Sequence, residues 1–290
     1  MNDDEFAAIR RQVASDDPAE IERGHARALG CMAEEPRCRA LAAAAYDRGR
    51  ALAGRSQKFG TQAVLHQGRR ELWPVDRTTT DSERAKWGLP GIAHLREQAT
   101  EAPLVGKAPL RRLLRERVGC IGDDEVARRA QAIAHRGFQW LATPEPGAVL
   151  AAYWPLPGEA DPRPLALALA ERHGWSLALP VVTGDELVFR RWSDGDELVP
   201  AGFGTFGPGA GAPAVAPTIL LAPLLGYDER GGRLGQGKGY YDRYLAQAPD
   251  CLAVGIAHGE QRLPAVPTMA HDRALAAVLT EASAIRPAST

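Results

Sequence analysis

The stretch Leu221–Leu245, LAPLLGYDERGGRLGQGKGYYDRYL, decides how the rest of the chain is read. The apolar run Pro217–Leu225 reads as a buried strand. It runs into a turn rich in glycine: Gly231, Gly232, Gly235, Gly237 and Gly239, with Lys238 among the last of them. Glycines let a backbone approach an anion closely and turn its N–H groups toward it. Tyr240-Tyr241-Asp242 then opens a helix, whose N-terminus adds partial positive charge. The segment Gly232–Lys238 fits GxxxxGK, the start of a phosphate-binding P-loop. Gly239 stands where that motif needs a Ser or Thr hydroxyl for magnesium, so the nearest metal-binding candidate is Asp242. The plainer alternative is a structural glycine turn with a solvent-facing lysine.

Outward from this stretch the rhythm is α/β. Ala148–Trp154 reads as a strand ended by Pro155, and residues 156–161 as a loop. Pro162 or Pro164 starts a helix that runs to His173 and stops at Gly174. Ser176–Leu179 reads as a short strand stopped by Pro180. Glu186–Trp192 and Glu197–Pro200 read as a hairpin around Asp194-Gly195, and 202–216 as a Gly/Pro-rich loop. Strands at Leu252–Ala257 and Ala276–Thr280 follow. Upstream, Lys107–Arg117 is a basic amphipathic helix with Leu110, Leu113 and Leu114 on one face, and Asp123-Asp124 caps a helix to about Trp140. Strands alternating with helices predict an α/β fold, a mostly parallel sheet with helices on both faces. Ligands bind such sheets beyond the carboxyl ends of the strands, where the loops 154–161 and 226–239 both fall.

The first hundred residues differ. They predict a mainly helical extension, with helices at Glu20–Ala33 and Arg37–Leu52 and no regular pattern from Gly54 to Gln67. His25, His66 and His94 have no metal-ligand spacing. A boundary at Glu101–Gly106 gives two regions, 1–103 and 104–290. A formal net charge of −1 argues against a nucleic-acid partner, and no apolar run is long enough for a membrane span. The acidic MNDDEF start has no signal core, which predicts a cytoplasmic protein in which Cys31, Cys38, Cys120 and Cys251 are reduced thiols.

With these residues in place, the run from Gly226 closely resembles the signature of the 5-formyltetrahydrofolate cyclo-ligase (5,10-methenyltetrahydrofolate synthetase) family. The matching positions are Asp228, Arg233, Leu234, Gly235, Gly237, Gly239, Tyr240, Tyr241 and Asp242. Lys107 and Arg111, Tyr153-Trp154, Glu159-Ala160-Asp161, Leu179-Pro180 and His271-Asp272 extend it in the right order over about 104–290. Two positions depart: Gly207 stands for a family glutamate, and Pro162 for a threonine.

The resemblance implies ATP- and Mg2+-dependent cyclisation of 5-formyltetrahydrofolate to 5,10-methenyltetrahydrofolate, with reduced folate and ATP as small-molecule partners. It implies ATP contacts from Lys107, Arg111, Arg233, Leu234, Gly235, Gln236, Gly237, Lys238, Gly239, Tyr240 and Tyr241. Lys238 and Arg233 would be catalytic. Trp154, Glu159, Gln236, Gly237, Lys238, Gly239 and Tyr240 would meet the folate. Asp242 would bind magnesium; Asp272 is a second metal carboxylate or a loop brace. A non-catalytic folate- or nucleotide-binding relative, with a partner-binding N-terminal region, is the alternative. The sequence leaves monomer and homodimer open.

Overall fold

The computed structural model describes residues 1–141 and 147–287, so residues 142–146 and 288–290 of the expected 104–290 region lie outside it. The chain forms two compact units: Met1–Leu113 with Leu263–Ala270, and Leu114–Arg262 with His271–Thr290.

The first unit begins with three helices, α1 Asp3–Val13, α2 Pro18–Cys31 and α3 Arg37–Leu52. Asn2 caps α1 by accepting from the Glu5 N–H at 2.8 Å, and Asp17 caps α2 ahead of Pro18. α1 packs closely on α2, because a Cβ at Gly24 would lie 2.9 Å from Gln12 Cβ. A hairpin follows, β1 Ala63–His66 and β2 Arg69–Leu72, then α4 Asp81–Lys86 and α5 Ile92–Glu97. The Gln67-Gly68 turn has positive φ at both residues, the geometry a two-residue hairpin loop needs. Segment 263–270 belongs to this hairpin's surroundings. Thr268 donates its N–H to the Leu65 carbonyl at 2.8 Å and accepts from the Gly68 N–H at 3.0 Å. Helix α6, Lys107–Gly119, carries the chain from one unit into the next.

The second unit holds α7 Asp123–Trp140, β3 Val149–Ala151, α8 Arg163–His173, β4 Ser176–Thr183, β5 Glu186–Trp192, β6 Leu198–Gly202 and β7 Thr205–Pro208. β8 Ile219–Pro223, the short pair β9 Gly226–Tyr227 and β10 Arg233–Leu234, α9 Tyr240–Gln247, β11 Leu252–Ile256, β12 Ala277–Leu279 and β13 Ala284–Ile285 complete it. Seven strands form one sheet in the order β13-β12-β11-β8-β3-β4-β5, parallel from β12 to β4 and antiparallel at both ends. Alternate residues of each central strand face opposite cores. Leu150, Ile219, Leu221, Val254, Ile256, Ala277 and Leu279 pack with Ile133 of α7 and Leu165 and Leu169 of α8. Ala151, Leu220, Ala222, Ala253 and Val278 pack on the other face with Leu245 of α9. Both faces are buried, which is why these strands read as unbroken apolar runs.

Several expectations are corrected. Pro180 does not stop its strand: β4 continues to Thr183, because pairing with β3 ends at Ala178 and a residue without an N–H is tolerated beyond it. Asp194-Gly195 does not join a hairpin. β5 pairs back onto β4 across Gly184-Asp185, and β6 pairs with β7. β7 lies in the stretch expected to be loop, and the turn before it places Phe203 and Gly204 at φ 52° and 80°. A phenylalanine at positive φ is an uncommon turn residue, so the sequence hid this hairpin. The cap of α7 is Gly122; Asp123 and Asp124 sit inside its first turn, where they meet the helix dipole. The helical extension contains the β1–β2 hairpin in the stretch read as patternless. Cys31 and Cys38 are not reduced thiols but form a disulfide, since Cys31 ends α2 and Cys38 lies in the first turn of α3; Cys120 and Cys251 are free.

Candidate active site

The sheet brings two loops to one edge. β3 and β8 are parallel neighbours, so the loop after Ala151 and the glycine loop after Pro223 leave from adjacent carboxyl ends.

The glycine loop is built from its root upward. Buried Asp228 accepts from the backbone N–H groups of Arg230 and Gly232, both at 2.9 Å, and so acts as the turn residue of the β9–β10 hairpin. Gly231, at φ 77°, admits no side chain; a Cβ there would lie 2.6 Å from the Leu275 carbonyl. β10 then delivers Arg233 into the interior, its side chain 4% exposed. Its Nη2 lies 2.8 Å from Asp242 Oδ1 in the first turn of α9, and its guanidinium sits 5.5 Å from the Tyr241 ring centroid. Leu234 is fully buried, while Gln236, Gly237 and Lys238 are exposed. Gly239 begins α9 in the left-handed conformation, which glycine adopts without strain.

The second loop carries Trp154 and Glu159. Glu159 is half-buried; its Oε2 accepts the Leu156 N–H at 3.0 Å and its Oε1 faces Gln236 Nε2 at 3.5 Å. Burial holds its carboxyl above the usual carboxylate range. Trp154 is covered on one ring face by the Arg163 guanidinium at 4.3 Å, which Asp161 grips through both oxygens at 2.7–3.1 Å. Gln236 is thus the meeting point of the loops, and its Oε1 also accepts from Arg115 of α6 at 3.1 and 3.3 Å.

Among the expected residues, Arg233, Leu234, Gly235, Gln236, Gly237, Lys238, Gly239, Tyr240, Tyr241 and Asp242 form one continuous loop and helix start, with Glu159 joined to it through Gln236. Tyr240 packs at a tilt against Phe203, ring centroids 5.7 Å apart, and Lys238 Nζ lies 5.7 Å from the same Phe203 ring. Tyr241 is partly buried, and burial pushes its hydroxyl well above the ordinary tyrosine value. Lys107 and Arg111 stand in the first half of α6, in the first unit, and neither is without a partner. The sequence reading missed Arg115 and Phe203. Arg115 had a faint signal, one more basic residue on the α6 face; Phe203 had none.

The backbone beside one of the carboxylates expected to hold magnesium reaches the other. The Arg273 N–H donates to Asp242 Oδ1 at 3.2 Å, directly after Asp272, whose side chain is 12% exposed and lies 3.8 Å from His271 Nε2. Among the described residues no three His, Cys, Asp or Glu side chains gather as a metal site. Asp242 Oδ1 accepts from both Arg233 and Arg273, so Oδ2 is the oxygen that could ligate a metal. One carboxylate oxygen plus substrate phosphates and water is a fit for magnesium, which is commonly held that way. Among the described residues no helix is long and apolar enough to cross a membrane.

Fold and site define a class: α/β proteins with a cationic glycine loop at the carboxyl edge of a mainly parallel sheet, beside a half-buried carboxylate. Within it, residues 104–281 match the 5-formyltetrahydrofolate cyclo-ligase family, and the chain belongs to that family. A 5-formyltetrahydrofolate cyclo-ligase of Mycolicibacterium smegmatis is 32% identical over 171 residues, covering 54% of this chain and 84% of the relative. One from Escherichia coli K12 is 35% identical over 132 residues, covering 42% and 72%. The solution structure of Aquifex aeolicus 5,10-methenyltetrahydrofolate synthetase superposes with a TM-score of 0.55 at 27% identity, covering 63% of this chain and 94% of that one.

Proposed function

We propose that this cyclo-ligase closes 5-formyltetrahydrofolate to 5,10-methenyltetrahydrofolate with ATP, releasing ADP and phosphate, and that residues 104–290 carry the reaction. The observation that carries the reading is the meeting of a cationic glycine loop with an acceptor carboxylate: Lys238 and Arg233 on one side, Glu159 on the other, joined at Gln236.

A formamide carbonyl is a poor electrophile whose oxygen leaves badly. Attack of the formyl oxygen on the γ-phosphorus of ATP expels ADP and turns that oxygen into a phosphate ester. The N10 lone pair then forms the new C–N bond within the same molecule, favoured by proximity. The C–O bond breaks toward phosphate, and the N10 proton passes to solvent. The protein's contribution is positioning and charge neutralisation. Lys238, exposed and without an ion-pair partner in the loop, would meet the transferred phosphoryl group. Arg233 would contribute charge from below, with its plane fixed by Asp242. Lys107 and Arg111 would add phosphate contacts on the strength of the sequence pattern. Gly235, Gln236, Gly237 and Gly239 would turn backbone N–H groups to the phosphates, with Leu234 and Tyr241 fixing the loop beneath. Asp242 Oδ2 and Asp272 would hold magnesium, which when bound neutralises phosphate charge. Glu159 would accept pterin N–H groups, with Trp154, Tyr240 and Phe203 supplying ring faces.

Purified protein given 5-formyltetrahydrofolate and MgATP should gain the near-ultraviolet absorbance of the methenyl product. A folded sample that shows no gain would reject the reading.

A further inference from the structure

The 3-10 turn Gly259–Gln261 after β11, with its N-cap His258, lies outside every role assigned above, yet His258 and Gln261 are buried, at 0% and 1% exposure. They reach in different directions. His258 Nε2 lies 3.2 Å from the carbonyl of Gly158, the residue before Glu159. Gln261 Nε2 donates to the carbonyls of Leu224 at 2.7 Å and Leu225 at 3.1 Å, where β8 gives way to the glycine loop. The two are joined, because Gln261 Oε1 accepts the His258 N–H at 2.6 Å. We propose that His258 and Gln261 are positioning residues, a single buried brace that holds the Glu159 loop with one side chain and the root of the glycine loop with the other.

The surroundings fit a brace. A carbonyl partner requires a proton on Nε2, and burial lowers the ring's pKa below the usual histidine value, which favours the neutral Nε2–H form. The charges around it are Arg129, Glu260 and Glu281. The turn itself is anchored: Glu281 accepts the Gly259 N–H at 3.2 Å, and Glu260 takes Arg129 at 2.7 and 2.8 Å. The Glu159 loop is gripped on its far side too, since the buried Tyr153 hydroxyl donates to the Ala160 carbonyl at 2.5 Å. Gly158, at φ 78°, has the Val118 carbonyl 2.8 Å from where a Cβ would sit, so the loop has little room to shift. With the carbonyls on both sides of Glu159 held, the carboxylate is aimed by the backbone. Any drift of the brace changes the spacing between Glu159 and the loop that bears Lys238.

This inference rests on the proposed function for its kinetic part only. The test uses the full chain with His258→Leu, His258→Gln, Gln261→Leu and the double leucine variant. Amide hydrogen exchange of residues 156–160 and 224–239 is read in the unliganded protein, and kcat and both KM values in turnover. His258→Leu should speed exchange in 156–160 by roughly tenfold and raise the folate KM about as much, with the ATP KM within about twofold, as for loss of one buried hydrogen bond. His258→Gln, which restores an Nε2–H donor, should recover most of both. Gln261→Leu should loosen both loops, and the double variant should be no worse than Gln261→Leu alone, since the residues act as a unit. Unchanged exchange in both loops, a parallel rise in both KM values, or a His258→Gln variant as impaired as His258→Leu overturns the brace. Should His258→Leu not fold, His258→Asn, whose shorter amide cannot reach Gly158, is read in its place. A wild-type protein that does not turn over folate defeats the proposed function, and the exchange data still decide the brace.

Discussion

Arg233 and Asp242 are joined across the glycine loop, Nη2 2.8 Å from Oδ1, with the arginine side chain almost wholly buried and the aspartate partly open. The pair ties the strand end before the loop to the helix that follows it. Removing Asp242 strands a buried guanidinium, so Asp242→Ala should lose about 3 kcal/mol of stability as well as turnover. Arg233→Lys keeps the charge but not the planar fork, and should lose turnover with a smaller fall in Tm. Thermal unfolding beside steady-state kinetics checks both; an Asp242→Ala protein with wild-type Tm would sink the argument.

Lys238 should behave differently. It is exposed, and its nearest aromatic contact is Phe203 at 5.7 Å. Lys238→Ala should lower kcat by roughly 100-fold or more, as for removal of one donor to developing charge, with Tm unchanged. Retention of full activity in this variant removes the loop from the chemistry.

Glu159 supplies a pH dependence. Burial raises its folded pKa above the unfolded one, so the folded protein holds this proton more tightly. Its contribution to stability is present below the unfolded pKa and is lost as pH rises through the folded pKa. Glu159→Gln should therefore gain stability relative to wild type as pH rises above the ordinary carboxylate range. If the ionised form accepts pterin N–H groups, kcat/KM for folate should show an acid limb above that range, and Glu159→Gln should lack it at a raised KM. Parallel Tm–pH curves for the two proteins would contradict the shift.

Among the described residues, Cys120 and Cys251 are the free cysteines. Thiol titration of the denatured, unreduced protein should find two reactive groups and, after reduction, four. The bridge closes a loop with a sequence separation of 7, which in a chain-entropy account stabilises by about 2.5 kcal/mol. Reduction should lower Tm accordingly; four thiols before reduction would remove the bridge from the account.

Residues 263–270 are part of the first unit, with Leu263, Val266 and Thr268 buried. A chain beginning near Leu104 should therefore expose apolar surface and lose the Leu65 and Gly68 bonds to Thr268. Poor solubility and a lowered Tm are expected in expression trials and unfolding scans. A soluble truncated protein with full stability would make residues 1–103 dispensable.

Most of the sheet was legible because its signals are local. The β8 and β11 strands announce themselves as apolar runs buried on both faces, and Gly174 ends α8 at φ 68°. The glycine loop was legible because phosphate-type geometry needs glycines at fixed spacing. The errors share one cause: they concern partners. Whether β5 pairs with β4 or β6, whether Pro180 needs an N–H, and whether Cys31 meets Cys38 are set by residues distant in sequence or in another element. His258 and Gln261 gave no signal, since a buried polar residue looks like any other until its acceptor is known.

By itself the sequence determined the class of fold and the family, because those follow from periodicity, turn chemistry and a dense motif. Only the tertiary structure decided how the motif is held. Asp242, a candidate metal ligand in the sequence, is also the ion-pair partner of the buried Arg233, and Glu159 reaches the glycine loop through Gln236. The physical reason is range. Backbone propensity acts over a few residues, whereas hydrogen bonds and desolvation act between whatever the sheet brings to its edge.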